Sequence, residues 1–259
     1  NLVSRPDIDA IYIPLPVGLH YFWAKKALDF GKHVLVEKSF THDLDIAGEL
    51  VALATQKNLV VMENFMFLYH SQQTYVKGEI DSGLIGDVRC FRSSFGFPPL
   101  SRDNIRYKKE LGGGSLLDAG AYPIRASQMF LGGSLSVSAA SLFVDPQLDV
   151  DIFGGAFLTN NAGLFSEIAF GFDNFYQCNY EIWGSLGKIT VSRAFTAGSD
   201  FLPQVTIEHQ GKERKAQLPT DNHAKNMLRE FSHAIKNQEK RIKFYGEIID
   251  QAKIIHDVR

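Results

Sequence analysis

Hydrophobic positions in the first quarter of the chain come as short runs separated by stretches of helical spacing. Residues 10–16 (Ala-Ile-Tyr-Ile-Pro-Leu-Pro) read as a buried strand that ends in a proline-marked loop. Trp23, Ala24, Ala27 and Leu28 then recur at helical spacing until Gly31 stops the pattern. His33–Val36 is a second apolar run and leads into Glu37-Lys38-Ser39. A helical pattern over 43–57 and a third run, Leu59–Met62, follow. Strands alternating with helices at this spacing predict parallel crossovers. Open parallel sheets bind ligands beyond the carboxyl ends of their strands. Leu15-Pro16, Glu37-Lys38 and Glu63-Asn64 therefore fall on one rim.

After a helical pattern over 68–82 the texture changes at Gly86. Segments 88–97, 135–145, 152–159, 164–172, 175–183, 188–194, 204–210 and 213–218 are strand-like and joined by short turns, which predicts a mostly antiparallel sheet. A helix opened by glycines interrupts them at 114–131, and helices over 221–237 and 246–258 close the chain. The expected fold is an α/β piece over 1–66 followed by an α+β unit over 67–259 with a large open sheet. The α/β piece is short for a dinucleotide-binding fold, and no G-x-G-x-x-G occurs. Gly184-Ser185-Leu186-Gly187-Lys188 lacks the spacing of a phosphate loop and reads as a hairpin turn.

Composition narrows the classes. The 259 residues are 45% hydrophobic, enough for one large core or two smaller ones. A formal net charge of −2 leaves no electrostatic footprint for nucleic acid or a membrane surface. No apolar run approaches the roughly 20 residues of a membrane span. Cys90 and Cys178 stand far apart without metal-type spacing, which points to a reducing, cytoplasmic setting and to no metal site.

The stretch with the densest chemistry is Gly112-Gly113-Gly114-Ser115-Leu116-Leu117-Asp118-Ala119-Gly120-Ala121-Tyr122-Pro123-Ile124-Arg125. Glycines running into a helical pattern predict free backbone N–H groups, which favour a polar or anionic ligand. Asp118 and Tyr122 share one face of a regular helix. Pro123 offers no N–H to the carbonyl of Ala119, so a bend is expected beside them. A buried Asp–Tyr pair in an ordinary core helix is the alternative.

Five motifs in order carry a resemblance. They are Tyr12-Ile13-Pro14-Leu15-Pro16 with His20, Gly31 through Lys38, Glu63-Asn64-Phe65-Met66-Phe67, Asp103-Asn104-Ile105-Arg106-Tyr107, and Gly112–Arg125. Over essentially its whole length the chain resembles the glucose–fructose oxidoreductase / inositol dehydrogenase family, and within it the NDP-hexose 3-ketoreductases. The resemblance implies a Rossmann domain that binds NAD(H) or NADP(H), then a sheet domain that contacts substrate and forms a homo-oligomer. It places Leu15, Pro16, His20, Glu37 and Lys38 at the nicotinamide half of the cofactor, with His20 fixing its loop. It makes Lys38, Asp118 and Tyr122 the catalytic group, Tyr122 as proton donor and Lys38 as stabiliser of alkoxide charge. Nearby Lys38 is expected to lower the phenol's pKa. Arg106, Tyr107, Arg125, Phe65, Phe67 and Tyr69 are candidates for positive charge and stacking against a sugar nucleotide, Arg106 foremost, with core packing an equal alternative for the aromatics.

The implied reaction is NAD(P)H-dependent reduction of a C-3 keto group on a nucleotide-linked deoxysugar. A dehydrogenase of a free sugar, cyclitol or dihydrodiol is an alternative within the class. A non-catalytic sugar-nucleotide-binding or scaffold protein is an alternative outside it. Two departures from the family pattern stand out. Ser39 replaces the proline that follows Glu-Lys, which is expected to loosen the loop. About 70–90 residues of a Rossmann first half would be expected before Asn1, so a fragment of a complete enzyme is the favoured reading.

Overall fold

The computed structural model describes residues 2–132 and 135–259. Its first sheet has three parallel strands in the order β1 (Ala10–Ile13), β2 (His33–Glu37), β3 (Val61–Asn64). Helices α1 (Val17–Asp29) and α2 (Leu44–Lys57) make the crossovers. The Asp43 carboxylate caps α2 by accepting from the amides of Asp45 and Ile46, and Asn58 closes it in the left-handed conformation. Strand alternation sends Val34 and Val36 to one face of the sheet, packed on Ala24, Leu28 and Leu50 of these two helices.

Helix α3 (Ser71–Asp81) leads into the second sheet. Its strands are β4 (Val88–Gly96), then, after α4 (Ala121–Leu131), β5 (Ser136–Asp145), β6 (Val150–Thr159), β7 (Phe165–Gly171), β8 (Gln177–Gly184), β9 (Gly187–Val191), β10 (Gln204–His209) and β11 (Lys212–Gln217). The spatial order is β11-β10-β9-β8-β4-β7-β6-β5, antiparallel throughout except for the β4–β7 pair. This is the open, mostly antiparallel sheet that the turn pattern predicts, with the Gly184–Gly187 hairpin in place between β8 and β9. Its inner face carries Phe91, Phe170, Tyr180 and Ile182 against Ile124 and Ala126 of α4.

Helices α5 (His223–Lys236) and α6 (Gln238–Val258) come last. The sequence pattern starts the final helix at 246; the structure starts it at Gln238, where Asn237 accepts from the Lys240 amide. Both helices return to the first sheet. Met227, Phe231 and Phe244 pack on Leu35, Val60 and Met62, the face that α1 and α2 leave bare. Among the described residues no helix is long and apolar enough to cross a membrane.

Candidate active site

The carboxyl ends of β1 and β2 open onto a cavity of about 220 Å³. Leu15, Pro16, Glu37 and Lys38 line its first-sheet side, and Arg106, Gly113 and Asp118 line the other. Two of the three expected rim segments, Leu15-Pro16 and Glu37-Lys38, line this cavity with the glycine-opened segment facing them, whereas Glu63 lies at a separate small pocket.

That segment begins with a π-helical turn, Leu116–Gly120, and becomes α-helical at Ala121. A π register pairs each carbonyl with the amide five residues on. For Asp118 that residue is Pro123, which has no N–H. The Asp118 carbonyl accepts from the Lys38 ammonium at 2.9 Å, and the same nitrogen lies 2.6 Å from Asp118 Oδ1. Where a bend beside Ala119 is expected, the chain widens one turn, and a carbonyl of that turn meets a lysine from the first sheet.

The expectation of free amides at the helix start is corrected. Asp151 of β6 accepts from the Leu116 amide at 2.6 Å and from Ser115 Oγ at 2.8 Å, while the Gly113 and Gly114 amides donate to the Lys108 and Arg106 carbonyls. The glycines serve close packing: a Cβ at Gly114 would lie 2.3 Å from Asp151 Oδ1, and one at Gly113 would lie 2.5 Å from the Arg106 carbonyl oxygen. Asp151 carries no sequence signal, being a strand residue far from the helix it caps.

Asp118 is the hub. Its second oxygen, Oδ2, accepts from Arg106 Nε at 2.6 Å. Burial pushes the Asp118 carboxyl up, but Lys38 and Arg106 outweigh it and hold the group below the usual carboxylate range. Burial likewise pulls the Lys38 ammonium down, and Asp118 more than restores it. The result is a half-buried carboxylate between two cations, with one Lys38 proton and both terminal nitrogens of Arg106 free of hydrogen bonds among the described residues.

Tyr122 lies with its ring under Lys38, Nζ being 5.1 Å from the centroid. Phe65, Phe67, Phe95 and Phe195 surround that ring at 5.1–5.8 Å. The phenol hydroxyl has no hydrogen-bond partner among the described residues. Its pKa moves opposite to expectation: burial raises it by more than Lys38, already neutralised by Asp118, lowers it.

The remaining candidates divide by placement. His20 faces the Leu15 carbonyl at 2.6 Å through Nε2 and the Ser39 and Phe40 carbonyls at 2.9 and 3.1 Å through Nδ1, so it ties the two cavity loops together. Glu37 accepts from Tyr12 at 2.5 Å and from Asn64 at 2.6 Å. Ser39 is fully buried and donates to the Leu117 carbonyl at 2.8 Å; the loop is tied where loosening is expected. Phe65 and Phe67 are buried and present no stacking surface, because the Tyr122 ring covers them. Tyr107 is buried on Phe172 and accepts from the Leu100 amide. Arg125 points elsewhere: it pairs with Glu247 of α6 at 2.6 Å and, with Tyr69, lines a separate cavity of about 390 Å³.

The residues fit the nicotinamide end of a cofactor. Leu15 and Pro16 offer an apolar wall for a flat ring, and the Lys38 charge stands at the same opening. Residues 1–65 match the oxidoreductase family with an NAD-binding Rossmann fold, and residues 74–190 match the GFO/IDH/MocA C-terminal domain. The chain belongs to the GFO/IDH/MocA family. Among its curated members, the dTDP-3,4-didehydro-2,6-dideoxy-alpha-D-glucose 3-reductase of Actinomadura kijaniata is 40% identical over 258 residues, covering 100% of this chain and 78% of the relative. The reductase of the same name from Saccharopolyspora spinosa is 42% identical over 236 residues, covering 91% and 71%. The crystal structure of a 3-ketoreductase from A. kijaniata with NADP and TDP-benzene superposes with a TM-score of 0.95 at 40% identity, covering 100% of this chain and 79% of that one. As a GFO/IDH/MocA protein the chain is thus an NAD(P)-type oxidoreductase by family.

Proposed function

We propose that this protein reduces a C-3 keto group on a nucleotide-linked deoxysugar, with NADPH as reductant. The observation that carries the reading is the half-buried Lys38–Asp118–Arg106 arrangement at the cavity between the two sheets, with donors to spare. Relatives about 40% identical along the chain are reductases of this class. Leu15, Pro16 and Glu37, on loops that His20 ties together, would hold a nicotinamide cofactor, which would supply hydride to the carbonyl carbon.

Lys38 directs its free N–H to the carbonyl oxygen, where negative charge grows during reduction. Asp118 keeps that ammonium charged and fixes its position by two hydrogen bonds. Tyr122, its hydroxyl unspent, delivers the proton to the new alkoxide. Arg106, already anchored through Nε, uses its terminal nitrogens as a fork for the diphosphate. Two pairs of stacked aromatics, Phe143–Phe153 and Phe157–Phe165, lie on the outer face of the second sheet and support a homo-oligomer formed through it. The buried, unpaired thiols of Cys90 and Cys178 suit the cytoplasm.

The test is NADPH oxidation followed with a dTDP-3-keto-deoxysugar and, separately, with free keto sugars and cyclitols. Turnover is expected only with the nucleotide-linked substrate, and dTDP alone is expected to raise the melting temperature. Equal turnover of a free sugar would replace this reading with that of a sugar dehydrogenase.

A further inference from the structure

The loop that carries Lys38 is gripped from two sides at one peptide. His20 of α1 faces the carbonyls of Ser39 and Phe40. From the opposite side Glu63, at the carboxyl end of β3, accepts from the Phe40 amide through Oε1 at 2.8 Å. Glutamine would satisfy that amide without placing a charge under the sheet, and a buried carboxylate is costly unless its charge is used.

The surroundings of Glu63 show where the charge acts. It lines a small internal pocket of about 10 Å³ with Arg125 and Glu247. Arg125 stands three residues after Tyr122 on α4 and is locked to Glu247 of α6. One carboxylate therefore lies between the Lys38 loop of the first unit and the helix that bears Tyr122. The charged groups around it are Lys38 on its own loop, Arg125 from α4 and Glu247 from α6, with His20 on the far side of the Phe40 peptide.

We propose that Glu63 is a positioning residue: its carboxylate holds the Phe40 peptide, and through it the Lys38 ammonium, in register with the Tyr122 helix. Ionisation matters because a charge-assisted hydrogen bond to an amide is stronger than a neutral one. Burial pushes the carboxyl up to about 7, against the Phe40 amide, Arg125 and Lys38, so the grip tightens as pH rises through neutrality. The kinetic part of the test rests on the proposed reduction; the structural part does not.

In the purified protein labelled with ¹⁵N, the Phe40 amide resonance is expected to titrate with a midpoint near 7 and to become flat in Glu63→Gln. With substrate, wild-type kcat is expected to rise through the same midpoint. Glu63→Gln keeps an acceptor, so it should lose that inflection and about fivefold in kcat at pH 8 with KM changed less than twofold; Glu63→Leu should lose about thirtyfold. A role in folding alone would lower the melting temperature and leave the pH profile in place. A Phe40 resonance that does not move between about pH 5.5 and 8.5 in the wild type overturns the proposal. So does a Glu63→Gln enzyme that retains the wild-type inflection. If no keto sugar is turned over while Phe40 titrates and the variant is flat, the proposed reaction fails and the positioning of the loop stands.

Discussion

Two ion-pair clusters lie along the same helical segment, and they do different things. At its start Asp118 joins Lys38 and Arg106 at a cavity of about 220 Å³; within α4, Arg125 joins Glu247 at a larger one of about 390 Å³. Cavity size and buried charge would rank the second site first. What separates them is which terminal nitrogens are already engaged. Arg125 uses its terminal nitrogens on Gln128, the Glu247 carbonyl and the Glu247 carboxylate. Lys38 and Arg106 both keep hydrogens that no described residue accepts, beside a phenol that is also unspent. An arginine whose terminal nitrogens are both engaged is a fastener; one anchored only through Nε keeps its fork for a ligand.

The sharpest way to break this contrast is Lys38→Met. It should lower kcat by about 10²–10³ with far less change in KM, measured as steady-state NADPH oxidation. A loss below tenfold would remove the distinction between the two pairs. Next, Tyr122→Phe keeps the ring that packs on Phe65 and Phe95 and deletes only the hydroxyl. Because burial raises the phenol's pKa, it is a weaker acid than a free tyrosine, and a loss of about tenfold is expected, smaller than that for Lys38. A loss equal to that of Lys38→Met would make the phenol the dominant group. The smallest effect on turnover belongs to Arg125→Met, within threefold. Its cost should appear in urea unfolding as about 2 kcal/mol, since Glu247 loses its close partner and keeps only the exposed Lys243 at 3.8 Å.

The sequence was informative wherever the relevant signal was local. The crossovers of the first sheet and the hairpin at Gly184–Gly187 have short-range causes, whereas the grouping of Lys38 with Asp118 was legible only through the family resemblance. It was silent wherever a partner came from far along the chain. Arg125 looks free until Glu247 arrives from α6, and the glycine-opened helix looks uncapped until Asp151 arrives from β6. The same is true of pKa direction. Proximity of Lys38 to Tyr122 was readable from the motifs, but the burial that outweighs it comes from aromatics on three separate elements. Ser39 follows this rule too: a hydroxyl in place of a ring matters through Leu117, which lies on the π turn.

The return of α5 and α6 to the first sheet bears on how this protein can be taken apart. Residues 1–65 match a family segment by themselves and invite excision as a portable nucleotide-binding module. Cut there, the piece would carry Leu35, Val60 and Met62 on a naked face, because Met227, Phe231 and Phe244 would remain with the other half. Tyr245 would also be lost as the hydrogen-bond donor to the Leu59 carbonyl. Any graft of these three strands has to take α5 and α6 along with them, spliced across the gap where the second sheet now stands. The packing unit is discontinuous in sequence.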